Sequence, residues 1–200
     1  MTPARTIDLS AAAAALGADL CRRVPELEHI DPQRLLFCLG RSRADGLHGV
    51  YARIAPLRFA AGAAELTRRR GRYLETFRLP SMTHEEREIL YLIYLMVPRF
   101  LRLSFEQKLT TIIHELYHIS EECDGDLRRF PGRNFAHGAS RRGYNRIVER
   151  LQEQYLRAAD EPQLLDCLRL DEEGWRRGDF RLTGLTVPLP RARLVARQRL

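Results

Sequence analysis

The stretch SFEQKLTTIIHELYHIS, residues 104–120, carries the clearest periodic pattern in this sequence. Ser104 and Gln107 have the spacing of a capping box, which opens a helix. Apolar residues then recur at three- and four-residue intervals, at Leu109, Ile112, Ile113, Leu116 and Ile119. This spacing predicts an amphipathic helix that packs its apolar stripe on a core and stops near Gly125.

The flanking segments mix helical and β-like patterns. Residues 9–24 read as a helix that ends before Pro25, and residues 141–158 and 163–170 as two further helices. Three β-like runs, separated by glycine-containing turns, cover residues 34–39, 50–59 and 72–79. The sequence therefore predicts an α+β domain. A small, mostly antiparallel sheet carries the helix at 104 and the helix at 141.

The apolar run at residues 89–97 allows two interpretations. Thr83 and Glu86 have the spacing of a capping box and would open a helix. The aromatic and β-branched residues of the run favour a strand instead, and Pro98 ends either element. We predict a strand near the sheet edge. Beyond residues 1–170, which form the predicted domain, residues 171–200 read as an extension that is a hairpin or a partly ordered tail.

Composition places the chain among soluble globular proteins, since 44% of its 200 residues are hydrophobic and 30% are charged. The run at 89–97 is too short to span a bilayer, and no convincing signal peptide is present, so we expect a cytoplasmic protein. The scattered cysteines form no CxxC pair, which argues against a zinc ribbon or a disulfide framework.

The net charge of +7 comes almost entirely from arginine, because Lys108 is the only lysine. Arginine clusters occur at residues 68–70, 128–129, 141–142, 176–177 and 191–199. Such runs are usually solvated surface, and along the chain the aromatic residues do not interleave with them as a base-stacking platform would. We therefore expect weak, nonspecific nucleic-acid binding at most.

The helix at 104 contains the pattern His-Glu-x-x-His at residues 114–118. Two histidines four residues apart share a helix face, and their imidazoles can both reach one Zn²⁺ at about 2.1 Å. Glu115 between them is placed to take a proton from a metal-bound water and return it to the leaving amine. The plainer interpretation makes His114 and His118 ordinary polar-face residues, but they sit beside an apolar stripe, where buried histidines need partners.

A third ligand is needed for such a site. His137 follows the motif after 18 residues and directly precedes Gly138, whose backbone freedom suits a tight loop. The competing ligands are Glu149, then Glu153, on the following helix, and Cys123 beyond the motif. We favour His137 as the third ligand.

The segments HELYHI, DGDLRRF and AHG, with the helix after them, resemble the phage-type zinc metallopeptidases. They resemble more distantly the SprT-like metalloproteases, whose pattern is HExxH followed by a histidine in an HG pair. The resemblance is sharpest over residues 98–151, and it implies a zincin-like fold. It also implies His114, His118 and His137 as zinc ligands and Glu115 as the base. The cysteine zinc ribbon of the SprT pattern is missing here.

Other residues have two interpretations each. Tyr144, or Arg141 and Arg142, would be placed to stabilise the oxyanion of a tetrahedral intermediate, although packing or surface roles are commoner for such residues. Asp124 and Asp126 either orient a ligand imidazole or build a turn around Gly125.

The predicted function is that of a zinc-dependent metallopeptidase, which hydrolyses peptide bonds of a peptide or protein substrate by glutamate-assisted attack of a metal-bound water. The alternative is a non-catalytic, metal-stabilised, basic protein associated with nucleic acid. A catalytic site keeps an open position on the metal, whereas a structural site is closed by a fourth protein ligand.

Overall fold

A computed structural model describes residues 5–42, 49–130 and 141–200. Four α-helices lie in these ranges: α1 (Leu9–Arg23), α2 (Phe105–Tyr117), α3 (Arg141–Ala158) and α4 (Glu172–Arg177). The strands are β1 (Arg5–Asp8), β2 (Leu35–Arg41), β3 (Ala52–Pro56), β4 (Glu65–Arg70), β5 (Tyr73–Arg78), β6 (Met82–His84), β7 (Arg87–Ile89), β8 (Tyr91–Val97), β9 (Phe180–Thr183) and β10 (Arg193–Arg199). Short 3₁₀ segments include Pro162–Arg169, where a helix was predicted.

The sheet nearest the predicted site has the order β2-β8-β3 and is mixed. Strand β2 runs parallel to β8, and β3 runs antiparallel to it with Ile54 opposite Ile93. The strand predicted at 89–97 is confirmed, but its edge position is wrong, because β8 is the middle strand. Pro98 follows β8 and interrupts no ladder, while residues 91–95 are buried on both faces, as a central strand requires.

Both faces of this sheet are covered. On one face, Phe37 and Ile93 pack in a core with residues of the helical layer, among them Ile113 of α2 and Leu151 of α3. The opposite face, which includes Leu36 and Tyr94, packs with the β6-β7 hairpin and the C-terminal segment. Helix α2 is thus held between the sheet and α3, which places its polar side along the edge of β3.

The start of α2 agrees with the prediction. The Ser104 hydroxyl accepts a bond from the Gln107 N–H (3.2 Å), and the Gln107 side chain accepts one from the Ser104 N–H (3.0 Å). The predicted end near Gly125 is wrong, since α2 ends at Tyr117 with His118 as its C-cap. The chain turns there because Ile119 forms a bridge with Leu127, and that pairing replaces further helix.

The α+β class is confirmed, and α2 and α3 both pack near the sheet. In contrast to the single, mostly antiparallel sheet predicted, the described residues form several small sheets, and the one beside α2 is mixed. The helix alternative at residues 83–86 is also wrong. Glu85 and Glu86 have positive φ and form the tight turn between β6 and β7.

The C-terminal region returns to earlier strands. Strand β9 pairs parallel with β1, and β10 pairs antiparallel with β5, so these two strands do not form a hairpin with each other. The extension also contains α4, in which Trp175 lies. The domain boundary at residue 170 stays a prediction. Over the described ranges, no helix is long and apolar enough to cross a membrane.

Candidate metal centre and catalytic cleft

The two motif histidines converge at the C-terminal end of α2. The Nε2 atoms of His114 and His118 lie 3.1 Å apart, with ring centroids 4.7 Å apart at an angle of 83°. Two nitrogens bound to one tetrahedral zinc at about 2.1 Å would lie about 3.4 Å apart. The observed separation therefore fits a shared cation, and both rings point the required nitrogen to the same place.

Glu115 points to the sheet. Its side chain is almost fully buried, and Oε2 accepts a hydrogen bond from the backbone N–H of Ile54 at 2.8 Å. Burial raises the pKa of Glu115 to about 7, against the opposing effects of the Ile54 N–H and the positive charge of Arg53. A buried carboxylate with such a pKa suits a group that gains and loses a proton near neutral pH.

The Ile54 N–H is available because β3 is an edge strand. The Tyr51 carbonyl accepts a hydrogen bond from the Met96 N–H, and the Leu57 N–H donates one to the Leu90 carbonyl. The backbone N–H and C=O groups of the odd-numbered residues of β3 therefore point to β8. Ile54 and the other even-numbered residues direct their backbone groups to the outer edge. A cleft of about 270 Å³ lies between this edge and α2, lined by Val50, Tyr51, Ala52, Thr110, Thr111, His114 and Glu115.

Tyr144 of α3 packs directly on the histidines. Its ring stacks on His118 with centroids 5.3 Å apart at 26°, and its hydroxyl donates to the carbonyl oxygen of His114 at 3.2 Å. Burial raises the pKa of Tyr144, so the phenol stays protonated. In this arrangement the hydroxyl bonds to backbone, and the oxyanion role of Tyr144 stays a prediction. Arg142 is exposed on the same helix.

The predicted third ligand, His137, lies outside the described residues. Its competitor Glu149 is exposed, and so is Glu153, whereas the buried residues of α3 include Tyr144, Val148, Leu151 and Tyr155. Cys123 is buried, and within the described ranges no three His, Cys, Asp or Glu side chains are grouped to hold a metal. The histidine pair therefore gains no third ligand from Glu149, Glu153 or Cys123 in this structure.

The two aspartates after the motif build a turn. Asp124 accepts bonds from the Ser120 hydroxyl (2.6 Å) and the Asp126 N–H (3.0 Å). Asp126 accepts from the Ala61 N–H (3.1 Å) and from the Arg129 guanidinium (3.0 Å). These bonds favour the turn interpretation over imidazole orientation.

Two features of the site were missed from the sequence. The backbone donor at Ile54 has no signal in a side-chain pattern. The packing of Tyr144 does have one, because Tyr144, Val148, Leu151 and Tyr155 recur at helical spacing and all four are buried.

Comparison with known proteins gives a match to a family model. No curated protein and no solved structure matches the chain. The family model described as "Putative phage metallopeptidase" matches residues 8–158, from the start of α1 to the end of α3. That range contains the histidine pair, Glu115, Tyr144 and the segment with His137. The chain therefore belongs to the putative phage metallopeptidase family.

Proposed function

We propose that this chain is a zinc-dependent peptidase in which Glu115 acts as the general base. Family membership supports the coarser statement, a metal-dependent peptidase acting on peptide or protein substrates. The observation that carries the proposal is the convergence of two imidazole nitrogens, 3.1 Å apart, beside a buried carboxylate anchored at a sheet edge.

The residues that would hold the metal are His114, His118 and His137. Zinc, when bound, supplies a Lewis acid that polarises the peptide carbonyl and makes a water molecule acidic near neutral pH. Tyr144 supports this assignment, because its ring stacks on His118 and its hydroxyl bonds to the carbonyl oxygen of His114. Ligand imidazoles held by such contacts are already ordered before the metal arrives.

Glu115 would accept a proton from the attacking water and deliver it to the leaving amine. The bond from the Ile54 N–H holds one carboxylate oxygen and so sets the direction of the other. This fixed direction is what a general base needs, since proton transfer requires hydrogen-bond distance to the reacting group.

The substrate would lie along the outer edge of β3 as an extended peptide. The even-numbered residues of β3 direct backbone groups to that edge, and the cleft beside it is lined by His114 and Glu115. An added strand would gain main-chain hydrogen bonds without any particular side-chain sequence. The backbone of Pro56 also faces this outer edge. Proline has no N–H to donate, and at an edge position no hydrogen bond to β8 is lost.

The test is Glu115→Gln, measured by zinc content and by hydrolysis of an unfolded protein substrate. The amide can still accept the Ile54 bond, so zinc should remain near one per chain while hydrolysis falls by about 10²–10⁴-fold. Glu121→Gln is the control, because that carboxylate lies just past α2 and its side chain is 74% exposed. Unchanged hydrolysis in Glu115→Gln would exclude its role as the base. Zinc binding by a wild-type chain without any hydrolysis would instead support the structural-metal alternative.

A further inference from the structure

A strongly basic surface lies on the sheet formed by β4, β5 and β10, which we name the arginine ribbon. Strand β5 is central, and every residue of β4 and β10 is exposed. The three strands contact mainly one another. Strand β10 lies beyond residues 8–158, the range of the family match.

The strand register brings four arginines to one face of the ribbon. Arg68 and Arg197 both lie opposite Glu75, one from each neighbouring strand. Arg70 and Arg199 likewise lie opposite Tyr73. Residues opposite each other in antiparallel strands share a face, so these arginines form one surface, named here the basic face.

Aromatic rings hold two of these arginines in place. The guanidinium carbon of Arg68 lies 4.6 Å from the Phe77 ring centroid, and that of Arg197 lies 3.8 Å from the Tyr73 centroid. A stacked guanidinium keeps its N–H edges for a phosphate, and its restricted motion lowers the entropy lost on binding. Strand pairing thus brings arginines beside aromatic rings that do not interleave with them along the sequence.

The charge that the basic face presents to solvent is positive. Glu75 is the acidic residue that the register of the described ribbon places there, and its side chain is only 5% exposed. A carboxylate oxygen of Glu75 lies 3.3 Å from Nε of the Arg197 guanidinium, and the side chains around Glu75 cover it. Arg197 itself remains 52% exposed. An approaching ligand therefore meets guanidinium groups rather than the carboxylate.

An apolar row lies beside the arginines on the same face. Leu66 and Leu194 stand opposite Phe77 from the two outer strands, and they are 41% and 49% exposed. A matching ligand must carry anionic groups and flat apolar surfaces close together. Duplex DNA offers phosphates but keeps its base faces stacked inside, whereas a single strand offers both.

We propose that the basic face binds single-stranded nucleic acid, with phosphates at the arginines and bases on the guanidinium planes and the apolar row. The inference does not depend on the proposed hydrolysis, since it uses none of the residues of the metal centre. The basic face would give a role to positive charge that the proposed hydrolysis does not use.

Fluorescence anisotropy of a labelled oligothymidine of about 16 nucleotides tests this proposal. The variant Arg68→Gln/Arg197→Gln should bind at least about tenfold more weakly, and the slope of log affinity against log salt should become shallower by about 1.4. Arg70→Gln/Arg199→Gln should act in the same direction, and it removes no guanidinium that stacks on Tyr73 or Phe77. Circular dichroism would confirm that both variants are folded.

The matched control is Arg157→Gln/Arg176→Gln, which removes the same charge from α3 and α4, where these side chains are 80% and 60% exposed. It should weaken binding less than about twofold, since neither side chain belongs to the basic face. An equal loss in the control would overturn the proposal, as would equal or tighter binding of a duplex. So would undetectable wild-type binding at about 50 mM salt. Arginine-ribbon-dependent binding to anionic vesicles, without such dependence for the oligonucleotide, would assign the face to a membrane surface instead.

Discussion

At the residue scale, the candidate site depends on the directions in which the side chains of His114, Glu115 and His118 point. His114 and His118 are one helical turn apart and bring their Nε2 atoms within 3.1 Å. Glu115 lies between them in sequence but faces β3, where the Ile54 N–H holds it. The side chain of Glu115 is thereby directed away from the histidine pair, as the proposed base must be if it is to accept a proton instead of binding the metal.

Replacing the proposed third ligand should release the metal. His137→Ala leaves two imidazoles, and we expect its zinc affinity to fall by more than about 100-fold. This loss would be larger than that caused by replacing a residue that only contacts a ligand. Glu149→Ala should keep zinc at the wild-type level, because Glu149 is exposed on α3. Metal analysis after dialysis against a weak chelator measures both. Zinc loss in Glu149→Ala with retention in His137→Ala would reverse the ligand assignment.

Tyr144→Phe separates two roles of one hydroxyl. The ring should still pack on His118, so zinc content should stay unchanged, while loss of the bond to His114 should lower the free energy of unfolding by about 1 kcal/mol. Steady-state kinetics then decide the predicted oxyanion role. A fall in kcat of about 100-fold or more at unchanged KM would support that role, and a fall below about tenfold would contradict it.

At the element scale, α2 is defined by its two ends. The capping box at Ser104 starts it, and the turn at residues 120–127 replaces helix after His118. In that turn the Gly125 N–H donates to the Tyr91 hydroxyl, and its carbonyl accepts from the Arg58 N–H. The turn thus ties the end of α2 to the central strand and to the segment after β3.

Gly125→Ala should destabilise the protein by about 2–4 kcal/mol, because two costs add. The residue has φ of +92°, and a Cβ there would come within 2.5 Å of the Arg58 Cγ. Gly71→Ala is the control, since Gly71 also has positive φ (+61°) but has no atom within 4 Å of the added Cβ. It should cost only about 1 kcal/mol in urea unfolding. Equal costs at the two positions would show that the Arg58 contact contributes nothing.

At the scale of the whole molecule, a buried carboxylate links the first helix to the third. Asp19 of α1 is 4% exposed and accepts bonds from the Arg23 guanidinium (2.8 Å), from Arg22 and from the Tyr155 hydroxyl of α3 (2.8 Å). Burial raises the pKa of Asp19, but the bonds from Arg23, Tyr155 and Arg22 outweigh it and leave that pKa below its ordinary value of 3.8.

Asp19→Asn should therefore destabilise the fold in a pH-dependent way. A lowered pKa in the folded state means that ionised Asp19 contributes stability above its unfolded pKa, and this contribution is lost as the pH falls through the folded pKa. We expect the variant to lose about 1–3 kcal/mol at pH 7, with the difference from wild type narrowing below about pH 4. Asp166→Asn, at a carboxylate 58% exposed, should change stability little at either pH. A pH-independent difference would contradict the assignment.

Local physical chemistry accounts for what the sequence alone determined. A capping box, helical spacing and β-branched runs act within a few residues, and they correctly predicted the start of α2, the extent of α3 and strands β2, β3, β5 and β8. The His-x-x-x-His spacing likewise predicted the convergence of His114 and His118, because helix geometry makes those positions neighbours.

Only the tertiary structure decided the features that depend on distant pairing. The central place of β8, the early end of α2, the Ile54 bond to Glu115 and the meeting of Arg197 with Tyr73 each join segments far apart in sequence. Such contacts are chosen by the combined burial and hydrogen bonding of the whole chain, and many pairings suit the same local pattern. Strand β4 shows this most clearly, because its six exposed residues carry no alternation of buried and exposed positions, and it is a strand because β5 pairs with it.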